Sequence, residues 1–173
     1  MVDAGIERRD EARYCALPTT LHGAEVPRQI REAYQALDTY LGDRDLEDRG
    51  PSIIRYRRFL EGGPLVVEIG WIMDDLAGID PPFVVNTLRE GSYVVGWHNG
   101  PYARIADTTR DLIAWGDERG VVWDVEPDAA GDRWGSWFEL YLTEPTFGPE
   151  GPMGSVEVCL GIRDEPHSEL RSG

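Results

Sequence analysis

The chain has 173 residues, with 32 acidic side chains against 17 basic ones and a formal net charge of −15. That length suits one domain, or two fused half-domains, with a core of real size. The charge opposes nucleic acid as a partner, because a phosphate backbone demands a basic surface, and it concentrates cations near the protein. No apolar run approaches a membrane span, and residues 1–11 are polar and lack the apolar core of a signal peptide. A cytoplasmic protein with a flexible N-terminus is expected. Cys15 and Cys159 are far apart, with no CxxC, so neither a disulfide framework nor a zinc site is indicated. Both sit in apolar runs, where cysteine behaves as a small buried hydrophobe. No metal and no cofactor is expected.

In chain order, residues 13–17 read as a strand. Ile30, Ala33, Tyr34, Leu37, Tyr40 and Leu41 then recur at helical spacing, with Pro27 placed to open the helix. Residues 51–60 and 64–73 form a hairpin through Glu61-Gly62-Gly63. Residues 82–88 are expected to pair with 92–98 across Arg89-Glu90-Gly91. The strand at 91–99 leads to a second helix with a stripe of Ile105, Thr108, Leu112 and Trp115, Pro101 in its first turn and Gly120 as a stop. Residues 136–143 and 155–162 form the second hairpin, joined by a Pro/Gly-rich stretch. Residues 164–173 read as a disordered tail.

A shift of 75 residues places Ile30 on Ile105, Leu37 on Leu112, Tyr40 on Trp115 and Arg44 on Arg119. Each helix follows a strand and precedes a hairpin. The fold class is therefore α+β: two β-α-β-β units, about 12–73 and 82–163, forming one domain with a pseudo-twofold axis. An antiparallel sheet with helices outside and a ligand groove at that axis is expected.

The run Arg133-Trp-Gly-Ser-Trp-Phe-Glu-Leu-Tyr-Leu-Thr-Glu-Pro145 carries the most chemistry. As a strand, it puts Phe138, Leu140 and Leu142 on one face, suited to packing beneath a helix. Trp137, Glu139 and Tyr141 share the other, expected to line the concave side. A core strand does not need a carboxylate between two aromatics, and burying one unpaired is costly. The arrangement suits a cation with a flat apolar body. The plainer alternative is a glutamate on a solvated sheet face. Trp97, and Glu68 or Trp71, are further candidates for the groove. Spaced by three, Glu68 and Trp71 point to opposite faces of a regular strand. His98 ends a strand within reach of the groove, although a strand-end histidine is the more ordinary reading. His22 falls in a loop and His167 in the tail. Asp74-Asp75 falls in the linker between the halves, where turn acids are common. Nucleophile elbow, zincin, P-loop and dinucleotide signatures are all absent.

Gly50-Pro-Ser-Ile-Ile-Arg-Tyr56 with Leu65-Val-Val-Glu-Ile-Gly-Trp71 resembles the first half of the GyrI-like small-molecule-binding domain. Residues 87–102, ending in Gly-Pro-Tyr, resemble the start of its second half, and Phe138-Glu-Leu-Tyr-Leu-Thr-Glu-Pro145 its closing signature. The resemblance implies paired β-α-β-β units around a groove, in effector domains of multidrug-responsive regulators or in stand-alone drug-binding proteins. It implies that Glu139 contacts cationic ligands. One branch hydrolyses cyclopropane-bearing alkylating compounds, and gyrase-inhibitory members bind a protein partner. Haem-binding relatives share the architecture, but no residue here argues for haem. With no room for a helix-turn-helix before the first strand, a stand-alone protein is expected.

Three functions follow. The first is a binder of hydrophobic, often cationic, small molecules. The second is a hydrolase with Glu139 as general base and Tyr141 hydrogen-bonding the oxygen on which charge develops. The third is a protein-interaction role, which requires an exposed apolar patch that no run in the sequence supplies.

Overall fold

The computed structural model describes residues 2–60 and 62–164. The elements in order are β1 (Asp3–Arg9), β2 (Ala12–Leu21), α1 (Val26–Gly42), β3 (Ser52–Phe59), β4 (Leu65–Ile72), β5 (Val84–Leu88) and β6 (Gly91–Pro101). There follow α2 (Ile105–Asp117), β7 (Val125–Glu126), β8 (Arg133–Trp134), β9 (Trp137–Tyr141), β10 (Thr146–Gly148) and β11 (Gly151–Gly161). Pro27 lies in the first turn of α1, as its missing N–H permits. Pro101 instead closes β6, and a 3-10 turn at Tyr102–Arg104 leads into α2.

Among the described residues the strands form one antiparallel sheet of eleven, ordered β1-β6-β11-β9-β3-β4-β2-β5, with the short strands attached beside this path. The units β2-α1-β3-β4 and β6-α2-β9-β11 are thus arranged as mirror-ordered halves meeting at the β9–β3 ladder, the duplication that the helical stripes predict. Two expectations fail at the edges. The stretch expected to be a flexible N-terminus holds a strand instead: β1 pairs with β6 along its whole length, from Asp3 opposite Trp97 to Arg9 opposite Gly91. Nor does β5 pair with β6; it adds to β2 instead, Leu88 opposite Ala12.

That second pairing dictates the shape. In a flat sheet, six strand spacings of about 4.8 Å would hold β5 and β6 about 29 Å apart. Arg89 and Glu90 alone connect them, a reach of about 10 Å. The sheet therefore rolls. Its inner face buries Tyr14, Ala16, Ile53, Leu88, Tyr93, Val95, Phe138 and Cys159 against one another. Its outer face carries the helices. Ala33, Leu37 and Leu41 of α1 pack on Leu21, Cys15, Ile54, Val67 and Ile69, while Ile105 and Leu112 of α2 pack on Val94, Val156 and Val158. Gly96 admits the second helix: a Cβ there would lie 2.8 Å from Leu112.

Cys15 and Cys159 are free and buried, as their apolar surroundings predict. No helix among the described residues is long and apolar enough to cross a membrane. His167 and the expected disordered tail beyond residue 164 lie outside the described residues, as does Glu61 of the first hairpin.

Candidate functional site

Glu139, Trp137 and Tyr141 do share one face of β9, but it is the helix-bearing outer face. Trp137 packs in the cluster of Ile105 and Leu112, and Tyr141 also packs against the cluster that holds Ala33 of α1, as Ile30 and Tyr34 of that helix do. The expectation that this face lines the concave side is corrected. Phe138 and Leu140 point into the roll, away from the helices, and Leu142 lies beyond the strand, exposed. Alternation says which residues share a face; the closure of the roll decides which face the helices take.

Glu139 is 3% exposed, which excludes the solvated alternative. Tyr141 donates a hydrogen bond from its hydroxyl to Glu139 Oε2 at 2.7 Å. The Tyr56 hydroxyl is a second donor to the carboxylate. Burial pushes the Glu139 carboxyl up to about 7, with these two phenols holding it back. Tyr34, Tyr56 and Tyr141 all feel its charge and, with burial the larger cause, their hydroxyls are raised and stay protonated. No Lys, Arg or His pairs with Glu139 among the described residues; the hydrogen bonds from tyrosine stand in for a counter-charge.

Aromatic rings close over this group. Tyr56 and Phe59 both stack on Trp137, with centroids 4.7 and 4.8 Å away, and Trp134 meets it edge-on at 5.0 Å. Tyr102, in the turn that opens α2, meets Tyr141 edge-on at 5.2 Å. Trp137 Nε1 is buried without an acceptor. A carboxylate, an unused N–H and several π faces thus converge where the two half-repeats meet between the helices. Such a place accommodates a cation electrostatically and an apolar body by stacking.

The remaining candidates divide. Trp71 lies on the same outer face, opposite Ser52, which is itself opposite Tyr141. It meets Tyr34 edge-on at 5.2 Å and so borders the site from the α1 side. Glu68 points inward. There it accepts hydrogen bonds from Tyr14 and from Asn86 at 2.9 Å, while Arg55 donates to the Tyr14 hydroxyl at 2.8 Å. This is a buried ionic network inside the roll, separated from Glu139 by the sheet. Trp97 also faces away, since it opposes Glu157, which opposes Leu140. His98 is on the outer face, but both its nitrogens are engaged, with Thr108 Oγ1 at 2.7 Å and Pro101 O at 2.9 Å, so it ties β6 to α2.

Tyr34, Tyr56, Phe59 and Tyr102 are residues around the candidate site that sequence reasoning missed, whereas Trp134 was expected beside Trp137 and lies there. Tyr56 carried a signal, the two-residue alternation from Ile54, but no sequence rule sets β3 beside β9. Among the described residues no group of three or more His, Cys, Asp or Glu is placed to hold a metal.

No protein-family model and no curated protein matches the chain. Solved structures do. SAV2435 bound to tetraphenylphosphonium superposes with a TM-score of 0.58 at 14% identity, over 93% of this chain and 94% of that one. The EcmrR C-terminal domain gives 0.64 at 11% identity, over 95% and 99%. A hydrolase from Listeria innocua gives 0.58 at 14% identity, over 92% and 91%. The chain has the GyrI-like fold.

Proposed function

We propose that this protein binds hydrophobic small molecules, and lipophilic cations preferentially, with Glu139 as the charge partner and Trp137, Tyr56, Tyr141 and Tyr34 as the aromatic walls. One observation carries the reading: a buried carboxylate has tyrosine hydroxyls and, among the described residues, no cationic side chain for company. An uncompensated buried charge destabilises a fold, so a cation arriving from solvent is a natural partner for it. The tetraphenylphosphonium on SAV2435 is a ligand of that class on the same fold. The rings over Trp137 must part to admit a guest. The test is a titration with a fluorescent planar cation and with a neutral analogue of the same shape. Tighter binding of the cation is expected; equal affinities would remove the role given to Glu139.

A second reading, hydrolysis of a cyclopropane-bearing alkylator, is favoured by the Glu139 carboxyl at about 7, suited to a general base near neutral pH. Glu139 would take a proton from water as the water oxygen bonds to the strained ring carbon. The ring C–C bond breaks, and its electron pair passes to the conjugated oxygen of the substrate, which Tyr141 stabilises by a hydrogen bond. The Listeria hydrolase has the same fold. Consumption of the alkylator above the buffer rate decides between the two.

A further inference from the structure

Glu139 is 3% exposed, so nothing enters this site until some part of its cover moves. Three elements supply the cover: α1, α2 and the hairpin of β7 and β8. The helices are fixed. α1 buries Ala33, Leu37 and Leu41 against the sheet, and α2 buries Ile105, Thr109, Leu112 and Gly116. Over residues 125–135, by contrast, no residue is buried, and the half-buried Trp134 sits edge-on to Trp137 at 5.0 Å. An element with so little buried surface is the cheapest to lift.

The hairpin is held firmly at its root and lightly toward its tip. At the root, Asp124 N donates to Gly161 O and Gly135 N to Asp124 O, each at 2.9 Å. Arg89 pairs with Asp124 at 3.0 Å, and the buried Arg55 donates to Gly135 O at 2.8 Å. Toward the tip, β8 makes one ladder pair with β3, Arg58 opposite Arg133, and Phe59 N donates to Asp132 O at a long 3.3 Å. Like charges facing each other across a ladder weaken it. The Arg58–Asp128 and Arg133–Glu126 pairs, at 2.9 and 2.7 Å, offset that repulsion near the surface, where an ion pair contributes little.

We propose that residues 125–134 are the lid of the Glu139 site, hinged at Asp124 and Gly135, and that a guest enters as Trp134 lifts off Trp137. The purpose of the lid rests on the ligand-binding reading above, but its motion has a reporter that needs no ligand. Trp137 Nε1–H is buried with no acceptor, so only the cover over it keeps solvent away.

The bond from Phe59 N to Asp132 O marks Arg58 and Arg133 as a non-hydrogen-bonded pair, with Cα atoms about 4.5 Å apart. That spacing suits a disulfide, and the native Cys15 and Cys159 are buried out of its way. Arg58→Cys combined with Arg133→Cys gives a lid that oxidation locks and reduction frees. Exchange of Trp137 Nε1–H with deuterated solvent, followed by NMR, should slow about tenfold or more on oxidation and recover on reduction. The Val158 amide, in a strand paired on both sides, reports unfolding of the whole protein and should exchange more slowly than the indole in the parent. Association of tetraphenylphosphonium, timed by stopped-flow tryptophan fluorescence, should slow and recover in parallel with the indole. An indole rate indifferent to the lock would overturn the lid. So would equal indole and Val158 rates in the parent, which needs no variant to fold. Exchange that obeys the lock in a protein that ignores tetraphenylphosphonium would uphold the lid and remove the cation reading instead.

Discussion

Ile54 of β3 stands directly across the central ladder from Glu139 of β9. Side chains so opposed are about 5 Å apart, so a hydrocarbon covers the carboxylate where the half-repeats join. Ile54 is 2% exposed and packs with Ala33, Val67 and Ile69. Ile54→Ala should therefore cost about 2–5 kcal/mol in stability, measured by urea denaturation. A cost near zero would mean that this junction is loosely packed.

Glu139→Gln keeps size and some hydrogen bonding while deleting the charge. The fold should persist, and affinity for a lipophilic cation should fall by about 2–5 kcal/mol, the range for a desolvated charge pair. Calorimetry on variant and parent checks this. Unchanged cation affinity in a variant of normal thermal stability would place Glu139 outside the site.

The pH dependence has two opposite signs. A permanent cation needs the ionised carboxylate, so its affinity should climb with pH and level off above about 7, where Glu139 has lost its proton. Stability should move the other way. Glu139 is raised in the folded state from 4.5 to about 7, so between those values the unfolded chain has released a proton that the folded chain keeps. The contribution of this group to stability is greatest at low pH and is lost as pH rises through that window, by about 3 kcal/mol. Denaturation of parent and Glu139→Gln from pH 4 to 8, compared pairwise, isolates it; a pH-independent difference would contradict the burial of the charge.

If the site turns over an alkylator, Glu139→Gln should remove about 10²–10⁴ in rate while an unreactive neutral analogue still binds. Tyr141→Phe should slow it less, since the ring and the Tyr56 donor remain. It should also move the pH midpoint upward, because the Tyr141 hydroxyl holds the carboxyl down. Single-turnover rates against pH test both. A midpoint that does not move would detach Tyr141 from the titrating group.

The strongest local signals led to the candidate site. Helical stripes located both helices, and period-two alternation put Trp137, Glu139 and Tyr141 together. What escaped was long-range. Whether Trp97 joins Glu139 depends on two ladders in succession: Val158 opposes both Glu139 and Gly96, so the glycine shares the face and the tryptophan does not. Tyr34, Tyr56 and Tyr102 come from three other elements, and no periodicity links them to β9. The edge strand Asp3–Arg9 was missed because an edge strand tolerates charge; its Glu7, Arg8 and Arg9 read as an unstructured terminus.

The placement of β1 and β5 has a consequence for how the molecule is made. Each precedes one half-repeat in the chain and completes the sheet of the other. The halves are therefore laced together. Asp3 has to wait for Trp97 to emerge before its ladder can close, so the order of synthesis leaves β1 without a partner until the second half arrives. Such distant pairings slow folding, because the loop they close must be ordered before the contacts form. Fragments cut between β4 and β5 would each lack a strand that the other holds, and would be expected to become soluble only when produced together.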